Sequence, residues 1–205
     1  MPKQTFYNLP EHKRKTIELA ALDEFSEYGF DASNMNRIVE NSRIAKGSFY
    51  QYFEDKKDLY FYLIDTLFTK KMKAVDPVLD NYREHGFSHN LKELFCLGLS
   101  FYDGDPKLNR LGEDFSTMQR PFVEEFTAKH KPEAADIYLS LLMHAQEKGE
   151  LCADLDIQLV STFIAMLINQ TTIYLMGRPN MEGERDAVIL QLLSFIDRAV
   201  LKQRE

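Results

Sequence analysis

The densest group of side chains able to make specific polar contacts lies in "RIAKGSFYQYFEDK", residues 43–56. Lys46, Gly47 and Ser48 stand where a helix should begin, four aromatics follow within five residues, and Lys56 closes the run. On a helical wheel Ala45, Phe49, Tyr52 and Phe53 share one side, while Lys46, Gly47, Ser48, Tyr50 and Gln51 share the other. The first set reads as core, with Phe49 and Phe53 as anchors. The second is a ridge of small residues with polar tips, suited to close approach rather than to packing. Gly47 has no side chain to hold a surface away, Ser48 can donate to a phosphate or a base, and Gln51 has the amide geometry that reads an adenine edge. Tyr50 and Tyr52 add hydroxyls, although Tyr52 lies toward the inward side and is open to core packing. Lys56 adds a cation at a helix start, where free N–H groups also attract phosphate.

These residues need a frame. The preceding stretch "PEHKRKTIELAALDEFSEYG" predicts a first helix with Pro10 in its first turn, a stripe of Ile17, Ala20, Ala21, Phe25 and Tyr28, and Gly29 as its cap. Ser33 is expected to cap a short second helix whose inward face is Met35, Ile38 and Val39. Asn41, Ser42 and Arg43 break the pattern, and a third helix follows from about Ala45. Two short helices joined by a tight turn and buttressed by a longer one make a helix-turn-helix. In that motif the second short helix enters the DNA major groove.

Residues 10–60 resemble the DNA-binding domain of the TetR family of bacterial transcriptional regulators. The resemblance is carried by "ALDEFSEYGFDASNMNRIVENSRIAKGSFYQYFEDKKDLY": an aromatic and a glycine ending helix one, Ser33 opening helix two, Ile38 within it, Gly47-Ser48-Phe49-Tyr50 in helix three, then Tyr52-Phe53 and Lys56 ahead of Leu59. Two positions depart from the family pattern. Ser42-Arg43-Ile44 fills a turn that commonly has a small residue and a valine, so Arg43 places an extra cation there; Val39 follows the isoleucine where alanine is common. The resemblance implies phosphate contacts from Ser33, Tyr50, Tyr52 and Lys56, and base contacts from Lys46, Gly47 and Gln51. It also implies an all-α chain, with a three-helix DNA-binding domain at 1–54 and a helical effector-binding and dimerisation domain at 55–205.

The remainder of the chain predicts helices throughout. A long one at 55–75 carries two adjoining apolar stripes, and Pro77 is expected to end or kink it. Further helices are expected at about 89–103, on to 117, from Pro121, at 133–148, at 157–177 and at 184–203, nine or ten in all. The last two carry more apolar surface than a hairpin can bury on itself: Phe163, Met166 and Ile173 in one, and Val188, Leu192, Phe195 and Ile196 in the other. The family resemblance implies a four-helix dimer interface built from them. A two-fold homodimer would present two reading heads to half-sites about 34–36 Å apart on a (pseudo)palindromic operator. Between these regions Phe95, Leu99, Tyr102, Phe115, Met118, Phe122, Phe126, Tyr138 and Met143, with Met166, are either core or the lining of an effector pocket. Their chemistry points to a small, largely apolar effector.

Bulk properties limit the alternatives. The chain has 205 residues, 44% hydrophobic and 28% charged, which allows a packed core. Its net charge is −7, and residues 1–60 hold nine Lys/Arg against ten Asp/Glu. Binding to a polyanion must therefore rest on local placement of cations, including Lys13, Arg14 and Lys15, rather than on bulk charge. Cys96 and Cys152 read as reduced thiols, no apolar leader opens the chain, and the most hydrophobic run is interrupted by Ser161, Thr162, Asn169 and Gln170. A cytoplasmic protein without a membrane span is expected. No nucleophile–base pair, GxSxG elbow or phosphate loop is apparent, so neither an enzyme nor a cofactor or metal is expected. The competing reading is a helical protein–protein module that docks the same helix in a partner's groove.

Overall fold

The computed structural model describes residues 2–103, 105–129, 134–176, 178 and 182–202; the side chains of 101–103, 127–129, 134, 135, 176 and 182 are outside that description. Its helices are α1 (Gln4–Tyr7), α2 (Glu11–Ala32), α3 (Met35–Asn41), α4 (Lys46–Tyr52), α5 (Lys56–Asn81), α6 (Phe87–Asp103), α7 (Pro106–Thr117), α8 (Arg120–Lys129), α9 (Ala134–Glu147), α10 (Ile157–Met176) and α11 (Glu182–Val200). A 3-10 turn at Tyr82–Glu84 joins α5 to α6. Among the described residues the only extended pairing is a single bridge between Leu151 and Leu201. The all-α expectation holds.

Packing divides the chain into two compact units, residues 1–71 with 102–130, and residues 72–101 with 131–205. The first is built on aromatics. Phe6, Ile17, Phe25, Ile38, Phe49, Phe53 and Tyr60 are each at most 1% exposed, and Leu111, Phe115 and Phe126 from α7 and α8 join the same core. Ile17, Ala20, Ala21 and Phe25 of the expected stripe bury α2, whereas Tyr28, expected among them, is 43% exposed under the Arg37 guanidinium, and Gly29 ends the regular geometry of the helix at φ 69°, ψ 173°. That region of backbone space is essentially reserved for glycine, so the cap has a specific cause. A Cβ there would also stand 2.8 Å from Asp114 Oδ1.

The second unit holds a mainly aliphatic core from α6, α9, α10 and α11, including Leu91, Leu142, Ile164, Leu193 and Ile196, with Phe95 among them. The end of α11 is stitched to the α9–α10 connection by backbone bonds: the Cys152 amide donates to Val200 O at 2.9 Å and the Lys202 amide to Glu150 O at 2.9 Å.

Three local expectations need correction. Ser33 is not the cap of α3; Asn34 is, its side-chain oxygen accepting from the Asn36 amide at 2.8 Å. Both residue types cap well, so composition does not separate neighbours. Of the two outcomes expected at Pro77, an end or a kink, the end does not occur: α5 runs through Pro77 to Asn81. Val75 is 6% exposed and Val78 and Leu79 pack on the same core, which holds the helix together where proline removes one hydrogen bond. Ala45, placed inward on the wheel, is the exposed N-cap of α4.

Candidate nucleic-acid interface

The reading surface is the outer face of α4. Lys46, Gly47, Tyr50 and Gln51 are exposed, with Tyr50 at 52%, while Phe49 and Phe53 are buried at 1% and 0%. The stacked Phe49 and Phe53 rings, 5.3 Å between centroids, fix the helix from within, and Tyr50 leans edge-on against Phe49 at 5.3 Å. A Cβ at Gly47 would meet no protein atom within 4 Å. The fold therefore does not need glycine at this position, and the space it leaves lies on the outside.

Next to this face is an open groove of about 620 Å³, lined among others by Lys13, Thr16, Arg43, Ser48 and Tyr52. It brings one cation of the Lys13–Lys15 group beside the turn cation and two of the expected hydroxyl contacts. Tyr52 is half-buried, sharing both readings of it. Arg43 is exposed and takes a left-handed backbone at φ 55°, which aims the turn back from α3 into α4. Three cations, Lys13, Arg43 and Lys46, and several hydroxyls beside a short exposed helix can grip phosphates while amide and ammonium groups reach base edges.

Two expected contacts are otherwise engaged. The Lys56 ammonium donates to Phe30 O at 2.5 Å, Ser33 O at 3.1 Å and Asp31 O at 3.2 Å, and lies over the Phe30 ring. It closes the carbonyl end of α2. Ser33 is 8% exposed and its hydroxyl donates to Phe30 O at 2.7 Å. Behind them the buried Glu24 carboxylate accepts from the Asn34 amide at 2.6 Å and from Arg37 Nε at 2.9 Å, which fixes the start of α3 against α2.

Sequence reasoning missed the N-terminal segment entirely. Lys3 Nζ donates to Tyr50 O at 2.9 Å, the Lys3 amide to Tyr52 O at 2.8 Å, and the Thr5 hydroxyl to Gln51 O. A helix of four residues leaves no periodic signal, so nothing local announced it. It also passed over the spacing of His85 and His89, four residues apart with ring centroids at 4.3 Å. Among the described residues no three His, Cys, Asp or Glu side chains group as a metal site.

The residues considered for an effector pocket fall in two places. Phe115, Met118, Phe122 and Phe126 belong to the first unit, where Phe122 packs on Phe30 at 4.8 Å and on Phe61 at 4.9 Å, and Phe126 on Phe115 at 5.0 Å. Phe95, Leu99 and Tyr138 belong to the second; Met143 and Met166 are 50% and 60% exposed, and the Tyr102 side chain lies outside the described ones. Of the residues expected at a dimer interface, Phe163, Met166 and Phe195 are 52%, 60% and 62% exposed. Ile173, Val188 and Leu192 are half-buried, while Ile196, at 2%, packs in the protein's own core.

Residues 18–63 match the family model described as "Bacterial regulatory proteins, tetR family". The HTH-type transcriptional regulator YdgC of Bacillus subtilis is 24% identical over 164 residues, 78% of each chain. An HTH-type transcriptional regulator of Staphylococcus aureus is 35% identical over 69 residues, 34% of this chain and 37% of that one. Among solved structures, a TetR family transcriptional regulator from Chloroflexus aurantiacus is 25% identical, with a TM-score of 0.62 over 99% of this chain and 100% of that one. FadR from Bacillus subtilis, solved in complex with stearoyl-CoA, shares the fold at 19% identity, with a TM-score of 0.72 over 88% and 97% of the two chains. The short exposed helix thus has a counterpart in regulators of known class: residues 18–63 match the DNA-binding part of the TetR family, and the chain is a DNA-binding transcriptional regulator similar to members of that family.

Proposed function

We propose that the protein is a homodimeric repressor, held on a (pseudo)palindromic operator by residues 1–54 and released when residues 55–205 take up a small, largely apolar effector. The observation that carries the dimer is the apolar face left open on α10 and α11. Residues Ile157–Leu175 have the length and composition of a membrane span, yet only 22% of that window is buried. Leu159, Phe163, Met166, Leu190 and Phe195 are all about half exposed or more. Apolar patches of that extent mark an interaction site, and a second copy of the same two helices covers them isologously.

The effector proposal is supported by side-chain chemistry: Phe, Tyr and Met dominate the candidate positions. FadR's stearoyl-CoA carries a long apolar acyl chain, the part of that ligand such side chains would suit, in a protein of the same fold. Binding would favour a spacing of the two reading heads unsuited to the half-sites. A cytoplasmic location follows from the same role.

Two measurements test this reading. Fluorescence anisotropy with DNA from upstream of the protein's own gene should give competitor-resistant binding that weakens steeply with salt, by roughly 0.9 log unit per log unit of salt for each phosphate contacted. Weak, salt-insensitive binding would sink the repressor and favour a protein partner. Native mass spectrometry should give a dimer, and Phe195→Glu a monomer with much weaker operator binding. A wild-type monomer would remove the interface.

A further inference from the structure

We propose that residues 2–9 form a detached cap for the reading helix, with Lys3 and Thr5 as positioning residues for the base contacts made by α4. This rests on α4 being the DNA-reading helix. An α-helix leaves its last four carbonyls without intrahelical partners. In a helix of seven residues that is more than half of them, and helices so short are unstable alone. Every one of the four is accounted for here. The Phe53 amide donates to Phe49 O at 2.9 Å, Lys3 Nζ to Tyr50 O at 2.9 Å, the Thr5 hydroxyl to Gln51 O, and the Lys3 amide to Tyr52 O at 2.8 Å. Three of the four partners come from a segment 46 or more residues away in sequence.

The segment is itself anchored. Phe6 is 0% exposed and meets Phe53 at 4.8 Å and Tyr62 at 5.2 Å. The α1 turn around it closes through the Asn8 amide to Gln4 O at 3.1 Å. The last turn of α4 has no basic residue of its own, and the Lys3 ammonium supplies the cation that a helix C-terminus favours. Two of the residues whose carbonyls the segment holds, Tyr50 and Gln51, have side chains that face outward. Fixing their backbone fixes where the Gln51 amide and Tyr50 hydroxyl point.

The test compares Thr5→Val and Lys3→Met with the conservative Thr5→Ser and Lys3→Arg, all of which leave Phe6 in place. Hydrogen exchange on the free protein should show amides 50–53 exchanging roughly three- to tenfold faster in the first pair, the loss of one ordinary hydrogen bond. The conservative pair should stay near the wild type. Binding to the tightest duplex that the wild type selects from a random 30-base-pair pool should fall by a similar factor. Binding to poly(dI-dC) should change less than about twofold, because phosphate contacts carry no sequence information. Unchanged exchange would overturn the cap. Faster exchange with selective binding intact would leave the cap without a positioning role. Equal losses on both DNAs, with a shallower salt dependence in Lys3→Met, would make Lys3 a direct phosphate contact instead. If the wild type enriched no duplex, the DNA reading would fall and the positioning role with it, while exchange would still report on the cap.

Discussion

The Tyr60 hydroxyl donates to Asp114 Oδ2 at 2.7 Å, and the same oxygen accepts the Phe30 amide at 3.0 Å. One carboxylate of α7 therefore holds both α5 and the end of α2, immediately past the Gly29 break. Burial, and then the hydrogen bond and charge of Asp114, push the Tyr60 phenol far above its ordinary range, so it stays a neutral donor at any working pH.

Removing this contact should cost stability in a graded way. Tyr60→Phe deletes one donor and should lower the free energy of unfolding by about 1 kcal/mol. Asp114→Ala leaves the Tyr60 hydroxyl and the Phe30 amide without an acceptor and should cost more, roughly 2–4 kcal/mol for the two groups. Urea titrations of the two variants give the comparison, and equal losses would show that the carboxylate is not shared.

Acid should loosen the α2–α3 corner. Burial raises the Glu24 pKa, but the Arg37 side chain and the Asn34 amide outweigh it, and the carboxyl lies below its ordinary value of 4.5. A carboxylate with a depressed folded value stabilises the fold above its unfolded pKa and loses that contribution as pH falls through the folded one. The urea midpoint should thus drop as pH falls from 4.5 downward, and Glu24→Gln should lack that component while being less stable at pH 7.

Arg43 carries a trade-off. Its φ of 55° lies where an L-residue costs roughly 1–2 kcal/mol and glycine does not. Arg43→Gly should raise stability, by roughly 1 kcal/mol at most after glycine's extra chain entropy. If the guanidinium meets a phosphate, the salt slope of DNA binding should fall by about one unit. Thermal unfolding and anisotropy on one preparation check both arms.

Lys56 and Lys46 should separate structure from recognition. Lys56→Met leaves the carbonyls at Phe30, Asp31 and Ser33 without their shared donor, and should lower stability by roughly 1–3 kcal/mol. Lys46→Ala, on an exposed side chain, should leave the unfolding curve within roughly 0.5 kcal/mol of wild type and change only DNA binding. A Lys56→Met protein of normal stability but shallower salt dependence would return Lys56 to the phosphate contacts.

What the sequence made legible here is what local pattern encodes. The aromatic spacing around Phe49 and Phe53, the stripe on α2 and the glycine demanded at position 29 are each set within a turn or two of chain. So is the outward ridge of Lys46, Gly47, Tyr50 and Gln51. The exchange of Ser33 for Asn34 as cap is an error of one residue between equivalent chemistries. What stayed hidden is long-range: Lys56 reaching back to Phe30, Asp114 meeting Tyr60 across 54 residues, and Lys3 and Thr5 closing α4 from the other end of the domain. Such bonds obey no period, because the partner is chosen by the fold rather than by the neighbouring sequence. The passage of α5 through Pro77 is the same lesson for a helix breaker, overruled by the packing of Val75 and its neighbours.

The open face of α10 has a thermodynamic consequence. If a second copy covers it, unfolding and dissociation become one equilibrium, and mass action sets the melting temperature. Each tenfold dilution then removes about 1.4 kcal/mol of apparent stability. A regulator built this way would be most fragile when scarcest, so its abundance in the cell would set how long each newly made chain survives.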